Sequence, residues 1–158
     1  MNPRFLTNTL AAALIVASPL ALAGKAADTV TVSDPYVRLV PADASVTGAY
    51  MMLKNTDTAD HALVKAGSDA AKNVELHTVV MANGKMEMRP VPKMDVKAGG
   101  ETQLKPGAFH IMLIDLKTPL KEGANIAFTL TFEDGSTKNV VAPVKPIAMT
   151  MSHGGMKH

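Results

Sequence analysis

Two histidines and two methionines in the middle of the chain have the side-chain chemistry of a soft-metal site. His77 is followed by Met88, and further along the chain by His110 and Met112. Thioether sulfur prefers Cu(I), and imidazole nitrogen accepts the same ion well. Mg²⁺ and Ca²⁺ require clustered oxygen ligands, which this pattern does not offer, and zinc sites use methionine less often than cysteine, histidine or carboxylate. The pattern therefore predicts a Cu(I) site.

A tight turn is expected to bring His77 close to Met88. The dipeptide Asn83-Gly84 is the strongest short hairpin signal, because both positions tolerate the positive φ of a type I′ turn. With a two-residue loop, the facing pairs are Met81 with Met86, Val79 with Met88, and His77 with Pro90. His77 and Met88 then share a face of the sheet as diagonal neighbours, with Cα atoms about 7 Å apart.

The second histidine and methionine pair is expected on a third strand. His110 and Met112 are two residues apart in a largely apolar segment, 108–116, which is typical of a buried strand. Alternate residues of a strand point to the same face, so both side chains should point the same way. Four donors from three strands then meet, provided that the strand register is kept, since a slip of one residue would reverse every side chain.

The other methionines and His61 have simpler interpretations. Methionine on a strand usually fills the core. The methionines interpreted in this way are Met51, Met52 and Met94, the last in a loop or in the core. For Met81 and Met86, core packing and a supporting pair of thioethers are both open. A single histidine on a strand is more often hydrogen-bonded or exposed than a ligand, which is our interpretation of His61.

Short β-rich segments separated by turn residues make up most of the chain, and no segment shows a long helical period. The predicted strands are 29–33, 36–40, 46–54, 61–66, 73–81, 85–91, 102–104, 108–116, 125–132 and 137–141. Many short strands at regular spacing predict an all-β sandwich or barrel. Because aromatic residues are only 4% of the chain, aliphatic residues and methionine must fill its core.

The chain is expected to divide into a signal, one domain and a tail. Residues 1–23 combine Arg4 with an apolar run and a small-x-small ending, which predicts a cleaved secretory signal, with an uncleaved anchor as the alternative. The apolar run is shorter than the about 20 residues of a membrane span, and we expect no span in the mature form. Residues 24–145 should form a single monomeric β-domain, and 146–158 a flexible tail.

Composition excludes several classes of protein. The chain has no cysteine, which rules out thiol catalysis, zinc fingers, iron–sulfur clusters and thiolate copper sites. The net charge of +2 is close to neutral, and no basic patch with interleaved aromatic residues is present, so nucleic acid is not an expected partner. We find no Ser-His-Asp or paired-carboxylate arrangement that would indicate an enzyme.

The tail is rich in possible ligands of its own. These are Met149, Met151, His153, Met156 and His158. We expect the tail to be disordered without metal, and the alternative to a functional role is a plain solvated chain end. Our hypothesis is a second copper site, in which the histidines take Cu(II) and the methionines suit Cu(I).

The central pattern resembles a known family. His77, Met88, His110 and Met112 match the spacing H-(M)-x10-M-x21-H-x-M of the PCu(A)C copper chaperones, and the resemblance covers roughly 30–143. The surrounding sequences GAYM at 48–51, VELH at 74–77, MEMRPV at 86–91, LKPG at 104–107 and PLKEG at 119–123 also fit. Thr78 stands where some members carry an additional Met, which leaves only an auxiliary ligand in doubt.

The resemblance implies a fold, a location and a recipient. It implies a cupredoxin-like, immunoglobulin-like Greek-key β-sandwich in the periplasm that binds Cu(I). It also implies copper delivery to the CuA centre of cytochrome c oxidase, through subunit II, a Sco-type protein or both. Three alternatives stay open at this point: a copper buffering or tolerance protein, a copper-dependent oxidoreductase, and an adhesion or interaction sandwich without metal.

Overall fold

The fold is built almost entirely from β-strands. The computed structural model describes residues 24–146. A short helix, α1 (Ala26–Thr29), precedes the first strand. The strands are β1 (Val30–Arg38), β2 (Val46–Asn55), β3 (His61–Gly67), β4 (Ala71–Ala82), β5 (Lys85–Pro90), β6 (Met94–Val96), β7 (Glu101–Leu104), β8 (His110–Leu116), β9 (Asn125–Phe132) and β10 (Thr137–Lys145). The prediction of an all-β fold is confirmed.

The sequence predicted separate strands over 29–33 and 36–40, and this break is wrong, because β1 continues through Asp34 and Pro35. The pairing of β1 with β2 shifts between Ser33 and Tyr36, and Asp34 has a φ of 49°. A bulge of this kind bends a strand and increases its twist without ending it. The two short strands expected on either side of the dipeptide are therefore one element.

The strands form one hydrogen-bonded path that folds into two layers. The order along the path is β5-β4-β8-β2-β1-β10-β9-β3-β6, and β7 pairs with β2. β1 and β10 run parallel, whereas pairs such as β4 with β8 and β3 with β9 are antiparallel. Because such neighbours are distant in sequence, the connections are of the Greek-key type that the resemblance implied.

An aliphatic core lies between the layers. Leu76 of β4 and Ile111 of β8 point into it from one layer, and Phe128, Phe132 and Met94 close it from the other. Alternate residues of a strand point to opposite faces, so the neighbours of the core residues on β4 and β8 lie on the opposite face of the sheet. The candidate ligands belong to that opposite face.

No helix within residues 24–146 is long and apolar enough to cross a membrane.

His61 is held between two carboxylates, away from the candidate ligands. Its Nδ1 lies 2.6 Å from Glu133 Oε1, and its Nε2 lies 3.0 Å from Asp57 Oδ2. Burial opposes the charged imidazolium, but the hydrogen bonds to Glu133 and Asp57 outweigh burial and raise the pKa of His61. The hydrogen bond with His61 in turn lowers the pKa of Asp57. The interpretation of His61 as a hydrogen-bonded residue is confirmed.

We predict that this pairing makes the stability of the domain depend on pH, and that His61→Gln reduces the dependence. Because folding raises the pKa of His61, its contribution is complete below the ordinary value of 6.5 and is lost as pH rises through the folded value. Urea unfolding should show the wild type losing stability as pH rises from the ordinary pKa of 6.5 through the raised pKa of His61, and the variant losing less. At about pH 6 the variant should be less stable by about 1–3 kcal/mol, the usual cost of an unpaired buried group. Parallel pH profiles for the two proteins would contradict the assignment.

Candidate metal centre

Three adjacent strands carry the four residues expected to bind metal. β5 carries Met88, β4 carries His77, and β8 carries His110 and Met112. These strands lie side by side at one end of the sheet path. The structure therefore places on neighbouring strands residues that lie far apart in the sequence.

The hairpin that joins β4 to β5 has the predicted register. Its facing residues are Met81 with Met86, Val79 with Met88, and His77 with Pro90. Asn83 and Gly84 have φ angles of 51° and 74°, which are the positive values that a type I′ turn requires. A turn of this type fixes the register, so Met88 lies diagonally across from His77 on the same face of the sheet.

The two histidines face each other across the β4–β8 pairing. His77 is the direct partner of His110, and Glu75 is the direct partner of Met112. The centroids of the two imidazole rings are 5.9 Å apart. Directly paired residues share a face, so both rings, Met112 and Met88 all lie on one side of the sheet.

A hydrogen bond fixes the protonated nitrogen of each ring. His110 Nδ1 lies 2.9 Å from the carbonyl oxygen of Ala108, and because that oxygen can only accept, Nδ1 carries the proton. His77 Nε2 lies 2.8 Å from Glu75 Oε2 and donates to that carboxylate. In a neutral imidazole the other nitrogen then carries a lone pair. The available lone pairs are those of His77 Nδ1 and His110 Nε2.

These two nitrogens are buried and lack a hydrogen-bond partner, which is uncommon in a folded protein. Among the side chains of residues 24–146, His77 Nδ1 and His110 Nε2 are the buried nitrogen or oxygen atoms without a hydrogen-bond partner. A buried polar atom left unpaired costs about 1–3 kcal/mol, so a folded domain seldom keeps two of them side by side. A metal ion that accepts both lone pairs would satisfy them together.

The environment keeps His110 neutral. Burial is the main cause that lowers the pKa of His110, and the nearby His77 lowers it further, against the hydrogen bond to Ala108. A neutral ring is the form that binds a metal ion, because protonation would occupy the lone pair. The hydrogen bonds to Ala108 and Glu75 are also the outer contacts that usually orient metal-binding histidines.

The two sulfur donors differ in exposure. Met112 is half-buried, and its partner on β2 is Gly48. The side chain of Met88 is 60% exposed. The site therefore combines two buried nitrogens, one sheltered sulfur and one sulfur in contact with solvent, which leaves a route by which an ion can enter or leave.

Tyr50 forms an aromatic wall beside the histidines. Its ring centroid lies 6.3 Å from that of His110 and 5.1 Å from that of Tyr36. Gly48 permits this arrangement, because a Cβ atom there would come within 2.6 Å of the Tyr50 hydroxyl. The wall limits the movement of His110 on the side away from His77.

Sequence reasoning missed Glu75 and Tyr50. Glu75 could have been found, since it lies two residues before His77 and so shares its face on the strand. Nothing in the local pattern around Tyr50 indicated a contact with His110, because that contact depends on the pairing of β2 with β8. No three His, Cys, Asp or Glu side chains of residues 24–146 are grouped to hold a metal ion.

The candidate tail ligands lie outside the described residues. Met149, Met151, His153, Met156 and His158 all follow residue 146, and the second copper site stays a prediction. The signal predicted at 1–23 also lies outside the described part of the chain.

Comparison with known proteins identifies the family. Residues 30–144 match the family model described as "Putative lipoprotein LpqE-like". The chain belongs to the LpqE-like family. A relative of this LpqE-like protein, "Putative lipoprotein Lxx21020" of Leifsonia xyli subsp. xyli, is 42% identical over 123 residues, which are 77% of this chain and 73% of the relative.

Solved structures share the fold of this LpqE-like protein. The solution structure of CuI-DR1885 from Deinococcus radiodurans is 35% identical with a TM-score of 0.62, and the match covers 77% of this chain and 80% of that one. The copper-bound PCuAC domain from PmoF2 is 19% identical with a TM-score of 0.63, covering 75% of this chain and 93% of that domain. At that identity the second match shows the fold alone.

We predict that Gly48→Ala disturbs the aromatic wall. The added methyl group would push the buried Tyr50 ring from its position, and overpacking of this kind costs about 1–3 kcal/mol. Gly67→Ala is the matched control, because a Cβ atom at that strand position meets nothing within 4 Å. Urea unfolding followed by tyrosine fluorescence should show a lower free energy of unfolding for Gly48→Ala and an unchanged one for Gly67→Ala. Equal stability of the two variants would contradict the proposed packing.

Proposed function

We propose that this LpqE-like protein is a copper chaperone that binds Cu(I) through His77, Met88, His110 and Met112. The observation that carries the proposal is the pair of buried, unpartnered nitrogens, His77 Nδ1 and His110 Nε2, on the same sheet face as the two thioethers. The role of the site in this proposal is to bind an ion and release it, without a chemical reaction.

The chemistry of the donors favours Cu(I) over other ions. Two thioethers and two neutral imidazoles form a soft, uncharged set, and thioether sulfur is a poor ligand for hard divalent ions. An uncharged set suits a monovalent cation, because the bound complex then carries only one positive charge into a partly buried position. The Glu75 carboxylate on His77 Nε2 offsets part of that charge.

The exposure of the donors favours a carrier over a storage site. Met88 is 60% exposed, so an incoming ligand from another protein can reach an ion bound there. Replacement of one ligand at a time allows transfer without release of the ion into water. The similarity to CuI-DR1885, at 35% identity, supports Cu(I) as the ion.

We further propose that the protein acts in the periplasm and delivers copper to the CuA centre of cytochrome c oxidase. Recipients of this kind are subunit II of the oxidase, a Sco-type protein or both. The support is the motif shared with the PCu(A)C family and the naming of the relative from Leifsonia xyli as a lipoprotein. Mixing the copper-loaded protein with each candidate recipient and measuring the copper on both proteins tests the recipient. Copper transfer to neither candidate would refute the proposed delivery.

We predict that each of His77→Ala, His110→Ala, Met88→Leu and Met112→Leu weakens Cu(I) binding. Removal of a direct ligand should cost more than about 100-fold in affinity, since loss of an outer contact alone costs about 10–100-fold. Anaerobic competition with a coloured Cu(I) chelator measures the affinity, and circular dichroism checks the fold. Met94→Leu, in the core, is the control and should bind as the wild type does. Affinity within about threefold of wild type in all four variants would refute the site.

We predict a graded effect at Glu75, whose carboxylate orients His77. Glu75→Ala removes the acceptor and should weaken Cu(I) binding by about 10–100-fold. Glu75→Gln keeps an acceptor oxygen for His77 Nε2 and loses only the charge, so its affinity should lie between those of Glu75→Ala and wild type. The same competition titration applies, and an unchanged affinity in Glu75→Ala would show that this contact does not position the ring.

A further inference from the structure

Three exposed methionines stand together on the β4–β5 hairpin. The side chains of Met81, Met86 and Met88 are 69%, 65% and 60% exposed. At this exposure they bury little apolar surface, so core packing does not account for them. The buried methionines of the domain, such as Met51 and Met94, show the contrasting case. The core interpretation left open for Met81 and Met86 is therefore wrong.

The register of the hairpin brings the three sulfurs within reach of one ion. Met81 and Met86 are direct cross-strand partners, which places their Cβ atoms about 4.5–5.5 Å apart. Met88, the partner of Val79, is the diagonal neighbour of Met81 and lies two residues along the strand from Met86. Three flexible bonds in each methionine side chain allow the sulfurs to close the remaining gap.

The face that carries this thioether triad, Met81, Met86 and Met88, has no Lys or Arg on the β5 side of the hairpin. Lys85, Glu87 and Arg89 alternate with the methionines on β5, so they point to the other face of the sheet. Arg89 also pairs there with Glu87, at 2.9 Å. A cation that approaches the triad therefore meets sulfur and apolar groups, without Lys or Arg beside it.

We propose that the thioether triad is a second Cu(I) site, through which the ion passes to and from His77 and His110. This inference rests on the function proposed above. Met88 belongs to both sites, so the ion moves by exchange of the other ligands while one sulfur stays bound. Copper stays monovalent throughout, and no proton is transferred, because a thioether has none to release.

The two sites should differ in their affinity for Cu(I) and in the rate at which their ligands exchange. The triad is exposed and made only of sulfur, so its ligands leave readily and its affinity is lower. The inner site offers two buried nitrogens that have no other partner among the described residues. An ion captured at the triad is therefore drawn inward, and an acceptor protein that presents soft ligands can take it back along the same path.

The first test follows each methionine during loading. The full-length protein, labelled with ¹³C in the methionine methyl groups, is titrated anaerobically with Cu(I), which is diamagnetic. Leu variants assign the signals, so those of Met149, Met151 and Met156 in the tail are followed separately. The Met88 and Met112 signals should move with the first equivalent, and the Met81 and Met86 signals should move as more is added and a second ion competes for Met88. If Met81 and Met86 stay unchanged at saturation while Met88 moves, the triad site is refuted and the proposed function stands. If no signal of the domain moves, the proposed function fails as well.

The second test removes two sulfurs of the triad while nearly keeping the volume of the side chains. Met81→Leu with Met86→Leu is nearly volume-conserving and lies at the surface, so the fold should be unaffected. The inner site should keep its affinity within about threefold, and loading from a Cu(I) chelate should slow at least about fivefold, because encounter with a mostly buried site is slow. Unchanged loading would overturn the proposal.

The matched control places two methionines on the face of the hairpin opposite the triad. Val80 and Glu87 are direct partners on the same hairpin, on the face opposite the triad. Adding Val80→Met and Glu87→Met to the double Leu variant restores the number of sulfurs without restoring the triad. Loading should stay slow. Recovery of wild-type loading would show that methionine content alone matters, and would refute a site defined by geometry.

Discussion

The site depends on two nitrogen atoms that the fold buries and leaves without a hydrogen-bond partner. The Ala108 carbonyl and the Glu75 carboxylate each bind one nitrogen of a histidine, which leaves His110 Nε2 and His77 Nδ1 with free lone pairs. Unpaired buried atoms are costly, and two of them on directly paired residues would oppose folding unless another interaction offset them. The core on the opposite face of β4 and β8, with Leu76 and Ile111, supplies that stabilisation, so the site is built before any ion arrives.

The same arrangement explains why the sulfur donors can be less buried than the nitrogens. The rings are fixed by backbone pairing, by Glu75 and Ala108, and on one side by the Tyr50 wall. Met88 has none of these restraints and stands on an edge strand that is exposed along its whole length. A fixed pair of buried nitrogens with an exposed sulfur beside them suits a protein that binds an ion and later transfers it to a partner.

Much of the site could be predicted from the sequence, because the β4–β5 hairpin that carries His77 and Met88 is a local structure. The Asn83-Gly84 turn fixes the β4–β5 register, and period-two alternation fixes the faces, so His77 and Met88 could be placed together from a few residues. The pairing of β4 with β8 could not be derived this way, since it joins residues more than 30 positions apart. The bulge at Asp34 and the contact of Tyr50 with His110 could not be predicted for the same reason. Each depends on a neighbouring strand that the local sequence pattern does not identify.

The most direct test of the central claim is to observe the imidazole nitrogens themselves. Long-range ¹H–¹⁵N correlation spectra of the metal-free protein should show His77 protonated at Nε2 and His110 protonated at Nδ1. On addition of Cu(I), the proposed site predicts large shifts of His77 Nδ1 and His110 Nε2, while His61, held by Glu133 and Asp57, stays unchanged. Shifts at the opposite nitrogens, or none at either ring under saturating Cu(I), would contradict it.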